Sequence, residues 1–115
     1  MAVDEERARR VGLNESVFRG VNEELEALAL RFGQQAEPLD LVCECAGPEC
    51  DQRIRVSHGE YEHVRSDPVL FMVVPGHELP DVEDVVRRAD GYDVIRKRPG
   101  TPAAVARATD TRDAS

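Results

Sequence analysis

Leu39-Asp40-Leu41-Val42-Cys43-Glu44-Cys45-Ala46-Gly47-Pro48-Glu49-Cys50 is the stretch that decides how this 115-residue chain is read. Its first seven residues alternate in the manner of a half-buried strand. Ala46-Gly47-Pro48-Glu49 is turn chemistry, and Arg53-Ile54-Arg55-Val56 alternates again. The two runs predict a hairpin with cysteines at its mouth. All three cysteines of the chain fall in these eight residues from Cys43 to Cys50. Cys43 and Cys45, two apart on a strand, share a face, while Glu44 points away from them. Gly47 and Pro48 let the backbone double back so that Cys50 faces the other two.

Three thiolates from one strand-turn unit ask for a fourth soft or borderline ligand, and the metal such a set suits best is zinc, Zn2+. His77 is the choice for the fourth, because Pro75-Gly76-His77 sits at a strand end where glycine lets the chain turn tightly and present the ring. His58 competes by its closeness in sequence to the cysteines. His63 lies mid-helix, off the inward face. The predicted metal set is therefore Cys43, Cys45, Cys50 and His77. Two other readings stay open: three buried free thiols packed as small hydrophobes, or an iron-sulfur cluster with cysteine and histidine ligands. Four ligands describe a closed, structural site, whereas a catalytic zinc keeps one position for water. Glu44 and Glu49 could serve as bases beside an open metal, and otherwise read as solvated turn residues. The chain has no Gly-rich phosphate loop, Ser-His-Asp order or paired-carboxylate motif, and its order of ligands does not match a zinc deaminase.

Around this unit the sequence predicts one α+β domain: a small, mainly antiparallel sheet, a long N-terminal helix and two short helices. Residues 1–13 read as a flexible arm, residues 14–98 as the zinc-stabilised domain and residues 99–115 as a disordered tail. From Glu15 to Phe32, Phe18, Val21, Leu25, Leu28 and Phe32 recur at threes and fours and mark the inward face. Asn14 is its cap and Gly33 its stop. Val17, Ala27 and Leu30 lie off that stripe and mark the helix as a partner-binding element. Ser57-His58-Gly59-Glu60 is a capping box opening a short helix with Tyr61 and Val64 inward. Val69 to Val74 is a central strand. Leu79-Pro80-Asp81 leads into a second short helix with Val82, Val85, Val86 and Ala89 inward, closed by Asp90-Gly91. Tyr92 to Ile95 begins the last strand.

The net charge is -8, yet residues 96–115 carry five basic and two acidic groups. An acidic body argues against duplex nucleic acid as the main ligand. Arg96-Lys97-Arg98 is a short basic patch with little aromatic support, a weak basis for RNA binding. No apolar run approaches the roughly 20 residues that span a bilayer, so no membrane partner is expected. The charged N-terminus lacks a signal-peptide core. Clustered thiols in a reducing compartment point to metal rather than disulfides and to a cytoplasmic setting.

Val17-Phe18-Arg19, Asn22-Glu23, Val42-Cys43-Glu44-Cys45, Cys50, Glu60-Tyr61, Val64-Arg65, Pro75-Gly76-His77, Val82, Val85-Val86 and Tyr92 together resemble a family of small uncharacterised actinobacterial proteins. The resemblance covers about residues 10–98, and Cys-Glu-Cys and Pro-Gly-His are its specific parts. It implies a bacterial, cytoplasmic protein and carries no activity. The expected function is that of a zinc-stabilised adaptor or regulatory protein that binds another protein. A thiol-redox sensor built on the same site and a small metal-dependent enzyme are the alternatives.

Overall fold

The computed structural model describes residues 5–34, 36–47 and 49–112. Helix α1 (Glu5–Arg31) leads to a hairpin of β1 (Leu39–Val42) and β2 (Arg53–Val56), then helix α2 (His58–Arg65) and strand β3 (Leu70–Val73). Strands β4 (Glu83–Ala89) and β5 (Tyr92–Lys97) and helix α3 (Thr101–Ala108) complete the order. β1 pairs antiparallel with β2, and a separate antiparallel sheet has the order β3-β5-β4. The fold is α+β, with a long N-terminal helix, two short helices and small antiparallel sheets.

Local chemistry accounts for much of this. Ser57 Oγ accepts the Glu60 N–H at 3.1 Å and starts α2, whose Tyr61 and Val64 are buried in the core. The apolar run predicted as a central strand forms β3, which lies at one edge of its sheet yet is buried from Phe71 to Val73. Central β5 carries Tyr92, Val94 and Ile95 into the same core.

Three expectations are corrected. The second short helix is not at 79–89, where β4 lies; it is α3, inside the stretch read as a disordered tail. Asp90-Gly91 is therefore a hairpin turn, with Gly91 at φ +87°, and not a helix stop. A bulge between Val85 and Arg87 shifts the β4 register and turns Val86 outward. The bulge breaks the alternation that would have marked a strand and leaves valines at a helix-like spacing. The residues read as a flexible arm are helical from Glu5 onward. Gly12, within that stretch, lies inside α1, where a Cβ would come within 3.1 Å of Val105 in α3. The close approach at that glycine packs α1 against α3. Residues 1–4, Gln35 of the linker, Pro48 of the turn and residues 113–115 of the tail lie outside the described residues.

The third correction concerns the face of α1. None of the five residues read as inward is buried: Val21, Leu28 and Phe32 are exposed, Phe32 by 74%, and Phe18 and Leu25 are half-buried. The buried side of the helix is Ala8, Val11, Gly12, Glu15, Arg19, Asn22 and Glu26. Its polar members meet partners in the body below, although Glu15 Oε2 has none among the described residues. Arg19 donates to the Pro68 and Ala106 carbonyls at 2.6 and 2.8 Å, and its guanidinium lies 4.6 Å over the Phe71 ring. Glu15 and Glu83 both pair with Lys97, and all three are buried. Glu26 meets Arg112 at 2.9 Å. A buried charge without such partners would cost several kcal/mol, so the ladder of partners is what permits α1 to sit polar side down.

Glu15 gives this arrangement a pH signature. Burial pushes its carboxyl up from the usual 4.5 to about 8, with Lys97 pulling the other way. The folded chain then holds a proton that the unfolded chain has released, so stability falls as pH rises between about 4.5 and 8. The slope from one such group is at most about 1.4 kcal/mol per pH unit. Urea unfolding across this range should show the decline, and Glu15→Gln should reduce it, leaving the smaller part that Glu26, also pushed up by burial to about 7, contributes; a variant that keeps the full slope would put the proton elsewhere.

Candidate metal centre

The hairpin mouth meets β3 through backbone bonds that continue beyond β1. Glu44 N donates to the Met72 carbonyl at 2.9 Å, and Cys43 N to the Gln52 carbonyl at 3.0 Å. This draws Cys43 alongside the end of β3. There, His77 N donates to the Val74 carbonyl at 2.9 Å and closes a turn in which Pro75 and Gly76 are the central residues, with Gly76 at φ +90°. Proline then a glycine with positive φ is the chemistry of a type II turn. On the other side, Cys50 N donates to the Gly47 carbonyl at 3.1 Å and folds Cys50 back under Cys45.

These turns bring Cys43, Cys45, Cys50 and His77 together, with one ligand atom from each within 4.8 Å of all the others. His77 Nδ1 stands 3.6 Å from both Cys43 Sγ and Cys50 Sγ. A tetrahedral ion with thiolate bonds of about 2.3 Å and an imidazole bond of about 2.0–2.1 Å has a sulfur-nitrogen edge of about 3.5–3.6 Å. The two distances match that edge. The cluster can hold a metal ion, with Nδ1 as the nitrogen presented. The other histidines lie apart: His63 is exposed, and His58 Nδ1 is 3.7 Å from Glu26.

The thiols differ in their surroundings. Cys43 and Cys45 are buried and Cys50 is half-buried. Cys43 Sγ accepts the Val74 N–H at 3.1 Å. Burial is the main cause that pushes the Cys43 and Cys45 thiols up; backbone N–H groups pull them down, from Val74 and Cys45 for the first and Gly47 for the second. Those N–H groups are placed to stabilise thiolates, which is the form that a metal binds. A pocket of about 380 Å³ opens beside the cluster, lined by Arg7, Val11, Cys45, Gly47, Cys50 and His77 among others.

Glu44 corrects a further expectation. It does point away from the cysteines, but into the protein and not to solvent. Its Oε1 accepts the Met72 N–H at 3.0 Å and its Oε2 accepts from Asn22 Nδ2 at 2.8 Å. Asn22 in turn pairs with the backbone of Val42, accepting its N–H at 2.8 Å and donating to its carbonyl at 2.9 Å. Burial pushes the Glu44 carboxyl up, against these hydrogen bonds. It is no base poised beside the site. It is the support that fixes the strand carrying Cys43 and Cys45. Glu49 is exposed. Arg7 was not singled out from sequence, and Asn22 only as part of the resemblance and with no role; the signal for its role was the question of what a helix lays over the second face of the Cys-Glu-Cys strand.

Comparison with models of protein families, with curated proteins and with solved structures gives no match to this chain. No described helix is long and apolar enough to cross a membrane.

Both oxygens of Glu44 act as acceptors, and Asn22 is held in one orientation by Val42. Glu44→Gln would turn an NH2 group toward a donor. The expected cost is about 1–3 kcal/mol, the penalty of a buried unsatisfied group. Chemical denaturation would measure it, and a loss below a few tenths of a kcal/mol would mean that the carboxylate is not the support described.

Proposed function

We propose that this chain is a zinc-stabilised protein-interaction module, in which the metal fixes the scaffold and α1 presents the contact surface. The observation that carries this reading is the inversion of α1. A solvated helix ordinarily turns its apolar stripe to the core. Here Leu13, Val17, Val21 and Leu28 face outward, Val17 by 63%. A contiguous exposed apolar surface on a folded domain marks a contact site. Four ligand groups at the metal centre favour a structural ion over a catalytic one. Zinc suits a set of three thiolates and one imidazole, and in a domain this small its binding free energy is largely folding free energy.

Two measurements test the reading together. Cys45→Ser should lower zinc content by elemental analysis and the melting temperature in parallel; full stability in a strong chelator would oppose the structural role. Affinity capture with the zinc-loaded chain, compared with the Val17→Glu/Leu28→Glu variant, should lose the captured chain while metal content and melting temperature hold. Capture that is indifferent to the substitutions would remove α1 as the contact surface.

A second reading has one observation in its favour: Cys45 and Cys50, unlike Cys43, line the pocket beside the cluster. A peroxide entering there would take two electrons from these two thiolates. They would join as a Cys45–Cys50 disulfide, the O–O bond would break to two hydroxide ions, and the metal would be released. Zinc release into a colorimetric chelator on stoichiometric peroxide, with Cys43 still free by mass mapping, is the outcome this reading expects. A first disulfide that includes Cys43 would oppose it.

A further inference from the structure

We propose that the partner on α1 is a second copy of this chain, docked antiparallel about a twofold axis at Val17. The proposal rests on the reading of α1 as the contact surface and names its occupant. At about 100° per residue, Arg10, Leu13, Val17, Val21, Glu24 and Leu28 fall within an arc of about 80° on α1, which exposed Glu6 and Arg31 continue toward the two ends of the helix. That arc lies opposite the buried stripe, on the side away from α3 and the strands. All six are exposed. Among the described residues, neither Arg10 nor Glu24 has an ion-pair or hydrogen-bond partner.

The order along the arc is self-complementary. Arg10 precedes Val17 by seven residues and Glu24 follows it by seven; Leu13 and Val21 stand four residues to either side. A second α1 laid antiparallel with Val17 on Val17 sets Leu13 on Val21 and Arg10 on Glu24, twice each. A parallel pair would set Arg10 on Arg10 and Glu24 on Glu24. An antiparallel pair centred between Gly20 and Val21 would set Arg10 on Arg31. Of these three, the Val17 register alone buries the valines and pairs Arg10 with Glu24, leaving Leu28 beside Glu6 at each rim, and a twofold contact of this kind closes on itself. The seam from Arg10 to Glu24 is about 21 Å long. It is at the small end of specific interfaces, so a dimer of roughly micromolar affinity is expected.

Sedimentation of the zinc-loaded chain from low to high micromolar concentration should show a reversible monomer-dimer equilibrium. Val17→Glu, which sets two carboxylates on the axis, should be monomeric with unchanged circular dichroism and melting temperature. Arg10→Glu and Glu24→Arg, both at exposed positions, should each weaken the dimer by about tenfold or more, since two attractive pairs become repulsive. Mixing these two variants should restore association as a heterodimer, and the Arg10→Glu/Glu24→Arg double variant should recover near wild-type affinity. A folded wild-type chain that stays monomeric throughout would overturn the second copy as occupant. It would leave α1 as a surface for another protein if capture still depends on Val17 and Leu28. A dimer unaffected by Val17→Glu, or a double variant no tighter than the single ones, would overturn the register.

Discussion

The Glu44 carboxylate joins three parts of the molecule that nothing else holds in the same way. It lies between two cysteines of the hairpin, accepts from α1 through Asn22, and accepts from β3 through Met72 N–H. The two sheets are separate hydrogen-bonded units, and Glu44, with its own N–H on the Met72 carbonyl, is where the hairpin is tied to the other sheet. Burial removes the competing water, so each of these hydrogen bonds is stronger than it would be in solvent. The strand alternation then does the rest. With Glu44 committed inward, Cys43 and Cys45 must project to the other side, toward the turn that carries His77.

This constraint couples the metal centre to the polar face of α1. The Cys3His cluster and Asn22 lie on opposite faces of one short strand. Loss of either would free the strand toward the other, so the hairpin, α1 and β3 are expected to loosen as a unit. The buried ladder of Glu15, Arg19, Asn22 and Glu26 then has a reason beyond stability. Apolar packing alone would have drawn the valines and leucines of α1 inward. Each polar residue of the ladder instead has a specific acceptor or donor in the body, which fixes the rotation of the helix about its axis.

Much of the scaffold was legible because local chemistry dictated it. The capping box at Ser57, the apolar run into β3, the alternation on either side of the cysteines and the Pro-Gly turn before His77 each act within a few residues. The rotation of α1 was not legible for a physical reason. Periodicity shows that a helix has an apolar stripe; it does not show which side the body takes. Phe18, Val21, Leu25, Leu28 and Phe32 form a real stripe, and the competing polar stripe is satisfied only by partners as distant in sequence as Lys97 and Ala106. β4 was hidden by its bulge, and α3 by short-range composition, since Pro102, Ala103 and Ala106 become core only against α1. In the candidate site, the four clustered side chains that could hold a metal were readable from residue type and turn chemistry. The supporting role of Glu44 was not, because it depends on what covers the far face of its strand.

The same helix thus answers to two sets of demands. On its inner side the demand is for hydrogen-bond geometry, and every position from Glu15 to Glu26 at the buried spacing is polar. On its outer side, between Arg10 and Glu24, no part of the described chain makes any demand, yet the residues at the centre are valine and leucine, with Arg10 and Glu24 placed evenly about Val17. Solvent alone would favour neither feature. Exposed β-branched residues on a helix lose side-chain freedom without gaining burial, and charges spaced seven apart from a common centre gain nothing from each other within one helix, being about 21 Å apart. Both features become favourable when a second surface with the same pattern, reversed, lies against the first, and the polar ladder beneath is what keeps that face turned outward to meet it.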